Sequence, residues 1–169
     1  MEIFKYENYE DYVKEQTFYN KEKLSWSYFN KQGPRRGIII SCIKKYLGNA
    51  NNLDVICHGT RGGHEQKFFK EIFPKGHIQG TEISDTATKF PMTVEWDFTK
   101  QHPRWVDRFN LVYSNSFDHT IDPTETLRVW HEQLRKDGFL FIEWAENHSI
   151  CGPSDPLNAK AEEIEKLKE

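Results

Sequence analysis

The spacing of apolar positions changes near residue 53 and divides the chain into two regions. Upstream of that point, apolar and aromatic residues recur three or four positions apart, which predicts amphipathic helices. Downstream, short apolar runs alternate with helical stretches. The segments predicted to be helical in the first region are Glu7 to Phe18, Leu24 to Phe29 and Arg35 to Leu47.

Five short runs in the second region are typical of strands buried on both faces of a parallel sheet. They are Leu53 to Cys57, His77 to Ile83, Met92 to Trp96, Phe109 to Tyr113 and Phe139 to Trp144. Strands separated by helices imply right-handed crossovers. We therefore expect an α/β fold with a doubly wound, mostly parallel sheet of about five strands in the order 3-2-1-4-5. Helices are expected on both faces, together with a helical N-terminal extension.

The helices of the second region have recognisable ends. His64 to Phe73 is predicted to be the first of them. Asp122 is suited to cap another helix, Pro123 is suited to its first position, and Glu125 completes a capping box. This helix is expected to continue until the turn at Gly138.

A length of 169 residues suits a single domain. Residues 1–50 are its helical N-terminal part, residues 53–145 its core, and residues 146–169 a loop and a C-terminal helix from Asn158 to Lys168.

Net charge and cysteine content narrow the class of protein. The net charge of −3 gives no electrostatic reason to expect nucleic acid or an anionic membrane as the main partner. Three cysteines without paired spacing favour a reducing compartment. The N-terminus lacks the pattern of a secretory leader, and the apolar run at residues 38–40 is too short to cross a bilayer. We expect a soluble, cytoplasmic protein.

Ligands of such sheets bind outside the carboxyl ends of the strands, so the loops that follow the strands are informative. The loop after the first strand, from His58 to Glu65, is rich in glycine. Glycines let a ligand approach the backbone, and amides at the next helix start bind polar groups. A tight turn needs glycines as well, and this loop alone supports both interpretations equally.

The next two strands end in polar and aromatic residues. Glu82 lies 19 residues after Gly63, and a carboxylate about 20 residues after a glycine loop is placed to accept hydrogen bonds from ribose hydroxyls. Together with the glycine loop, this spacing favours ribose binding by Glu82 over an exposed carboxylate at the end of a strand. Asp97 and Phe98 suit an adenine amino group and an adenine ring, and they suit a helix cap and a core aromatic equally well.

The fourth strand is followed by small and polar residues. Ser114 and Asn115 would line the reactive end of a cofactor, and Asp118 and His119 are candidates for a general base. A packed histidine is slightly favoured for His119. Other thiol and imidazole groups lack the paired spacing of zinc ligands, and no metal site is predicted; these groups are Cys57, His58 and His64.

In this order, the motifs resemble those of class I S-adenosylmethionine-dependent methyltransferases. The segments similar to the family's first four motifs are Val55 to Gly63, Gly80 to Ser84, Trp96 to Phe98, and Phe109 to Asn115 followed by His119. Leu134 to Leu140 is similar to the turn before the family's fifth strand. The resemblance covers residues 53–145, which would be the cofactor-binding core.

The resemblance implies that S-adenosylmethionine is the cofactor and assigns residues to each part of it. The loop glycines would lie against the methionine part, one carboxylate would hold the ribose, the next would hold adenine, and the fourth-strand residues would lie beside the sulfonium. The residues are, in that order, Gly59, Thr60, Arg61 and Gly63; Glu82; Asp97 and Phe98; and Ser114 and Asn115.

The chain departs from the family pattern in several places. Cys57 stands where an acidic residue is usual, and Asn110 replaces a frequent aspartate. Arg61 replaces the central glycine, so its side chain must turn out of the pocket or reach a cofactor carboxylate. The family normally continues with two more strands, and without them the fifth strand is an edge that needs a cover. A partner, a second copy or the helical N-terminus is expected to provide it.

Three functions are compatible with these patterns. The leading one is methyl transfer to an unidentified acceptor, with a small molecule favoured. The second is a shortened, non-catalytic methyltransferase-like domain that binds the cofactor, or nothing, and serves as a partner subunit. A nicotinamide-dependent oxidoreductase is disfavoured because the loop lacks a regular Gly-x-Gly-x-x-Gly. The aromatic residues Trp26, Tyr28 and Phe29 suit a lid over the pocket or the core.

Overall fold

A computed structural model of the protein describes residues 1–25, 33–145 and 150–168. The strands are β1 (Glu2–Ile3), β2 (Val55–His58), β3 (Ile78–Glu82), β4 (Thr93–Glu95), β5 (Phe109–Ser114), β6 (Leu134–Ile142) and β7 (Leu157–Asn158). The helices are α1 (Tyr9–Glu22), α2 (Gly33–Leu47), α3 (His64–Ile72), α4 (Pro123–Gln133) and α5 (Ala161–Glu165). Short 3-10 turns cover Asp85–Lys89, Phe117–His119 and Lys166–Lys168. The predicted aromatic segment at residues 26–29 lies outside the described residues.

Five strands form a parallel sheet in the order β4-β3-β2-β5-β6. This order confirms the predicted doubly wound arrangement. Strand β2 lies at the centre, where Val55 pairs with Ile78 on one side and Leu111 on the other. Within the described ranges, no strand pairs with the outer side of β6.

Both faces of the sheet are covered by helices. Successive side chains of a strand point to opposite faces, so neighbouring residues of β2 pack in different clusters. Val55 and Cys57 pack with residues of α2 and α3, such as Ile43 and Phe69. Ile56 instead packs in a second cluster around Trp130 of α4. The central strand is therefore buried on both sides, which explains its continuous apolar run.

Helix α4 begins as predicted and ends earlier. The side chain of Asp122 accepts a hydrogen bond from the backbone N–H of Glu125. The Glu125 carboxylate binds Arg128 rather than closing the capping box. The helix stops at Gln133, because Leu134 already pairs with Phe109 in the sheet. The expected extension towards Gly138 is wrong: residues 135–138 form an irregularity inside β6.

The predicted C-terminal helix is also shorter than expected. Leu157 and Asn158 form β7, which pairs antiparallel with β1, so the helix starts at Ala161. Pairings of two residues carry no detectable periodicity, and the sequence therefore did not reveal this small sheet. Among the described residues, no helix has the length and apolar composition needed to cross a membrane.

Candidate functional site

The carboxyl ends of β2, β3, β4 and β5 meet above a hollow at the switch point of the sheet, where β2 has neighbours on both sides. Ligands of doubly wound sheets bind at this point. Six of the residues predicted from the sequence line the hollow: Gly59, Arg61, Glu82, Asp97, Phe98 and His119.

Glu82 ends β3, and its carboxylate faces into the hollow. The side chain is buried, with 1% of the residue exposed. Its Oε2 accepts a hydrogen bond from the backbone N–H of Arg61 at 3.0 Å. Its Oε1 accepts from the backbone N–H of Ser84 at 2.9 Å and from the Asn20 amide of α1 at 2.7 Å. A buried carboxylate needs such donors, and the Asn20 side chain is the one that comes from outside the strand ends.

Gly59 brings the backbone close to the neighbouring loop. Its φ angle is 70°, in the left-handed region. A Cβ at this position would lie 2.6 Å from the Cβ of Ser116 and 3.4 Å from the ring of Phe98. The carbonyl of Gly59 accepts a hydrogen bond from the Ser116 hydroxyl. The glycine therefore allows the loops after β2 and β5 to touch at the floor of the hollow.

Replacing Gly59 with alanine is expected to lower the free energy of unfolding by about 1–2 kcal/mol. The left-handed conformation alone costs about that much for a residue with a Cβ, and Ser116 must also move. Gly37 in α2 is the matched control, since a Cβ there meets nothing within 4 Å. Gly37→Ala is expected to raise stability by roughly 0.5–1 kcal/mol. Urea unfolding measures both changes; an equal response of the two variants contradicts this account of Gly59.

The residues after β4 contact the N-terminal helix. Asp97 Oδ1 accepts hydrogen bonds from the backbone and hydroxyl of Thr99. Asp97 Oδ2 accepts from the Tyr9 hydroxyl at 2.6 Å. The pKa of Tyr9 is raised well above its usual value, mainly by burial and secondly by this hydrogen bond. The Phe98 ring borders the hollow and packs against Trp130.

Arg61 has a φ angle of 43°, which is unusual for a residue with a Cβ. The family motif that this loop resembles has a glycine at the position of Arg61, and glycine adopts a positive φ without strain. The Arg61 side chain lines the hollow, and its Nε donates a hydrogen bond to Asn20 Oδ1 at 3.4 Å. Arg61, Asn20 and Glu82 thus form a connected chain of polar contacts.

Other predicted residues lie beside the hollow without lining it. They hold the surrounding loops: the Thr60 hydroxyl accepts a hydrogen bond from Gln66, and the Ser114 hydroxyl donates to the backbone of His58. The Asn115 amide donates to the buried carboxylate of Glu65. Gly63 has a φ of 70° and precedes α3. Asp118 lies next to His119 in the 3-10 turn.

His119 borders the hollow in a polar cluster. The amide nitrogen of Gln16 donates hydrogen bonds to the backbone carbonyls of Pro153 and Ser154. The amide oxygen of Gln16, Oε1, therefore lies 2.8 Å from Nδ1 of His119. Because an amide oxygen can only accept a hydrogen bond, Nδ1 is the donor. The other ring nitrogen, Nε2, lies 3.9 Å and 3.8 Å from carboxylate oxygens of Asp118 and Asp155.

Five further residues, which the sequence does not predict, line the hollow: Tyr12, Gln16, Asn20, Ile83 and Ser116. Three of them belong to α1, whose place in the fold the sequence does not indicate. With α1 docked, the remaining cavity is about 20 Å³. That is room for a water molecule, whereas small-molecule sites measure roughly 300–1,000 Å³.

Two buried groups support the floor of the site. His58 lies between the Thr81 hydroxyl and Gln133 Oε1, and it stacks on Trp130. Burial lowers the pKa of His58 to about 4, so the ring is neutral at pH 7. Burial raises the pKa of the Cys57 thiol, which makes it a packed group rather than a nucleophile.

Sequence comparisons give no relative for this chain. No protein-family description matches it, and no curated protein matches it either.

Structural comparison finds solved proteins with the same fold. The plantazolicin methyltransferase BpumL in complex with SAH has a TM-score of 0.60 and 16% identity, covering 78% of this chain and 57% of that one. The YcgJ protein of Bacillus subtilis has a TM-score of 0.61 and 14% identity, covering 78% and 64%. The sugar N-methyltransferase KedS8 of Streptoalloteichus has a TM-score of 0.55 and 15% identity, covering 70% and 51%.

The matched region spans about half the length of BpumL and KedS8. Likeness at such identities concerns the fold. The chain thus has the fold of class I S-adenosylmethionine-dependent methyltransferases.

Proposed function

We propose that the chain binds S-adenosylmethionine in this hollow and transfers the methyl group to an acceptor. The observation that carries the proposal is the buried carboxylate of Glu82, which ends the strand next to β2 and faces the Gly59 loop. A carboxylate in this place binds the ribose of a nucleotide-type cofactor. BpumL, which has the same fold, was solved in complex with SAH.

The residues of the core fit the parts of such a cofactor. Glu82 would accept hydrogen bonds from the ribose hydroxyls, Asp97 would accept from the adenine amino group, and Phe98 would cover the ring. The absence of a side chain at Gly59 leaves backbone for the methionine part to approach. When bound, the cofactor supplies a methyl group on a sulfonium.

The chain's contribution to the rate is then mainly positioning. Holding two reactants in line is worth several kcal/mol of barrier. An acceptor that must lose a proton needs a base. His119 is the candidate, because it borders the hollow and its Nε2 lies 3.9 Å and 3.8 Å from carboxylate oxygens of Asp118 and Asp155.

A non-catalytic partner subunit is the second candidate function. The small cavity left beside α1 favours it, since no cofactor fits without movement. The buried carboxylate of Glu82 and the glycine turn at the switch point oppose it.

Calorimetric titration with S-adenosylmethionine and with S-adenosylhomocysteine (SAH) separates these functions. Methyl transfer predicts saturable binding of both compounds and none of a nicotinamide dinucleotide. A protein that binds neither compound contradicts the proposal and favours the partner subunit. Binding of the nicotinamide compound alone favours the oxidoreductase.

A further inference from the structure

Each of the two carboxylates of the hollow accepts one hydrogen bond from a side chain of the same helix. Asn20 donates to Glu82 Oε1 at 2.7 Å, and Tyr9 donates to Asp97 Oδ2 at 2.6 Å. Both residues belong to α1. On the proposed function, a ribose hydroxyl and an adenine amino group would donate to the same carboxylates. The helix therefore presents the donors that a bound nucleoside would present.

These donors lie on a single stripe of the helix. Positions 9, 12, 16 and 20 are spaced by three and four residues, which places them on one face. Between the two donors, Tyr12 and Gln16 line the hollow, as Asn20 does. The occupied space explains why only about 20 Å³ remains open.

The attachment of α1 consists of hydrogen bonds and one buried aromatic side chain, that of Tyr12. Tyr12 and Gln16 are its buried residues, and neither hydrophobic core cluster of the described chain contains a residue of α1. A hydrogen bond to a carboxylate contributes about 1.5–3 kcal/mol net, because water replaces the partner that leaves. Departure of the helix from the hollow would expose Tyr12 and leave both hydrophobic core clusters intact.

We propose that α1 is an internal competitor of the cofactor: its Asn20 and Tyr9 occupy the carboxylates of Glu82 and Asp97, and binding requires the helix to move out. This inference rests on the proposed cofactor site. The apparent affinity is then reduced by the fraction of molecules in which the helix is docked. Substitutions that weaken docking should tighten binding, even at Asn20, whose side chain lines the site.

The test compares Asn20→Ala and Tyr9→Phe with the wild type in calorimetric titrations with SAH. Lys14→Ala is the control, because Lys14 is exposed on the opposite side of α1. Asn20→Ala is expected to bind SAH roughly tenfold more tightly, the value of one net hydrogen bond to a charged group. Tyr9→Phe is expected to tighten binding by a smaller factor, and Lys14→Ala to leave it unchanged. Hydrogen exchange of the α1 amides should become faster when SAH is added to the wild type.

Weaker binding by Asn20→Ala and Tyr9→Phe overturns the inference, because it makes α1 a wall of the binding site. Unchanged affinities with unchanged α1 exchange also overturn it. In both cases SAH still binds, and the proposed function stands. Failure of the proposed function is distinguishable, since then SAH binds to no variant, the weakly docked ones included.

Discussion

Replacing Glu82 with alanine is expected to weaken SAH binding by roughly 100-fold or more. Two hydrogen bonds from ribose hydroxyls to a carboxylate contribute about 1.5 kcal/mol each at the low end of the usual range, and every 1.4 kcal/mol is a factor of about ten. Removal of the carboxylate also takes away the group to which the Asn20 amide of α1 donates. Loss of this contact would by itself free the helix and tighten SAH binding. A large loss of affinity must therefore come from the missing contacts with the ribose. Calorimetry with SAH measures the change.

Glu95 provides the matched control for this substitution. It pairs with Glu82 across β3 and β4 and is exposed. Glu95→Ala is expected to leave affinity unchanged. Since Glu82 also accepts backbone hydrogen bonds from Arg61 and Ser84, urea unfolding must show that the Glu82 variant remains folded. A folded Glu82→Ala protein with wild-type affinity excludes ribose binding by this carboxylate.

Acidification from pH 7.5 to pH 5 is expected to cost about 2 kcal/mol of stability through His58 alone. Burial lowers the folded-state pKa of His58 to about 4, while an unfolded histidine titrates near 6.5. Between these values the unfolded chain binds one more proton than the folded chain. The stabilisation that neutral His58 provides is therefore complete above about pH 6.5. It is lost as the pH falls, and the loss amounts to about 3 kcal/mol at about pH 4.

Urea unfolding at pH 7.5 and pH 5 measures this loss, and His58→Asn isolates it. The variant is less stable at pH 7.5 because it loses contacts with Thr81, Gln133 and Trp130. Its stability should nevertheless change less with pH than that of the wild type, by about 2 kcal/mol. An equal pH dependence in both proteins would mean that His58 is not held neutral.

The sheet was predictable because its strands are buried on both faces. The run from Val55 to Cys57 is apolar throughout for that reason, and the same holds for Leu111 to Tyr113. The start of α4 was predictable from Asp122 and Pro123, whose effects are local. Its end was not, because the pairing of Leu134 with a distant strand decides it.

The candidate site divides in the same way. Glu82 was identified because its distance from the glycine loop follows from one strand–helix–strand unit. The contribution of α1 was not, since Asn20 contacts a residue 62 positions away and its polar face has no pattern that distinguishes docking from exposure to water. Ser116 was missed because its role is to occupy the space that Gly59 leaves free.

The most direct test of the cofactor site pairs Glu82→Ala with an SAH analogue that lacks both ribose hydroxyls. Calorimetry on the wild type and the variant with each compound gives a thermodynamic cycle for the contact between carboxylate and ribose. We expect the wild type to lose roughly 100-fold in affinity when the hydroxyls are removed, and Glu82→Ala to bind both compounds equally. An analogue that loses the same factor in both proteins would show that the ribose is held elsewhere and would contradict the account.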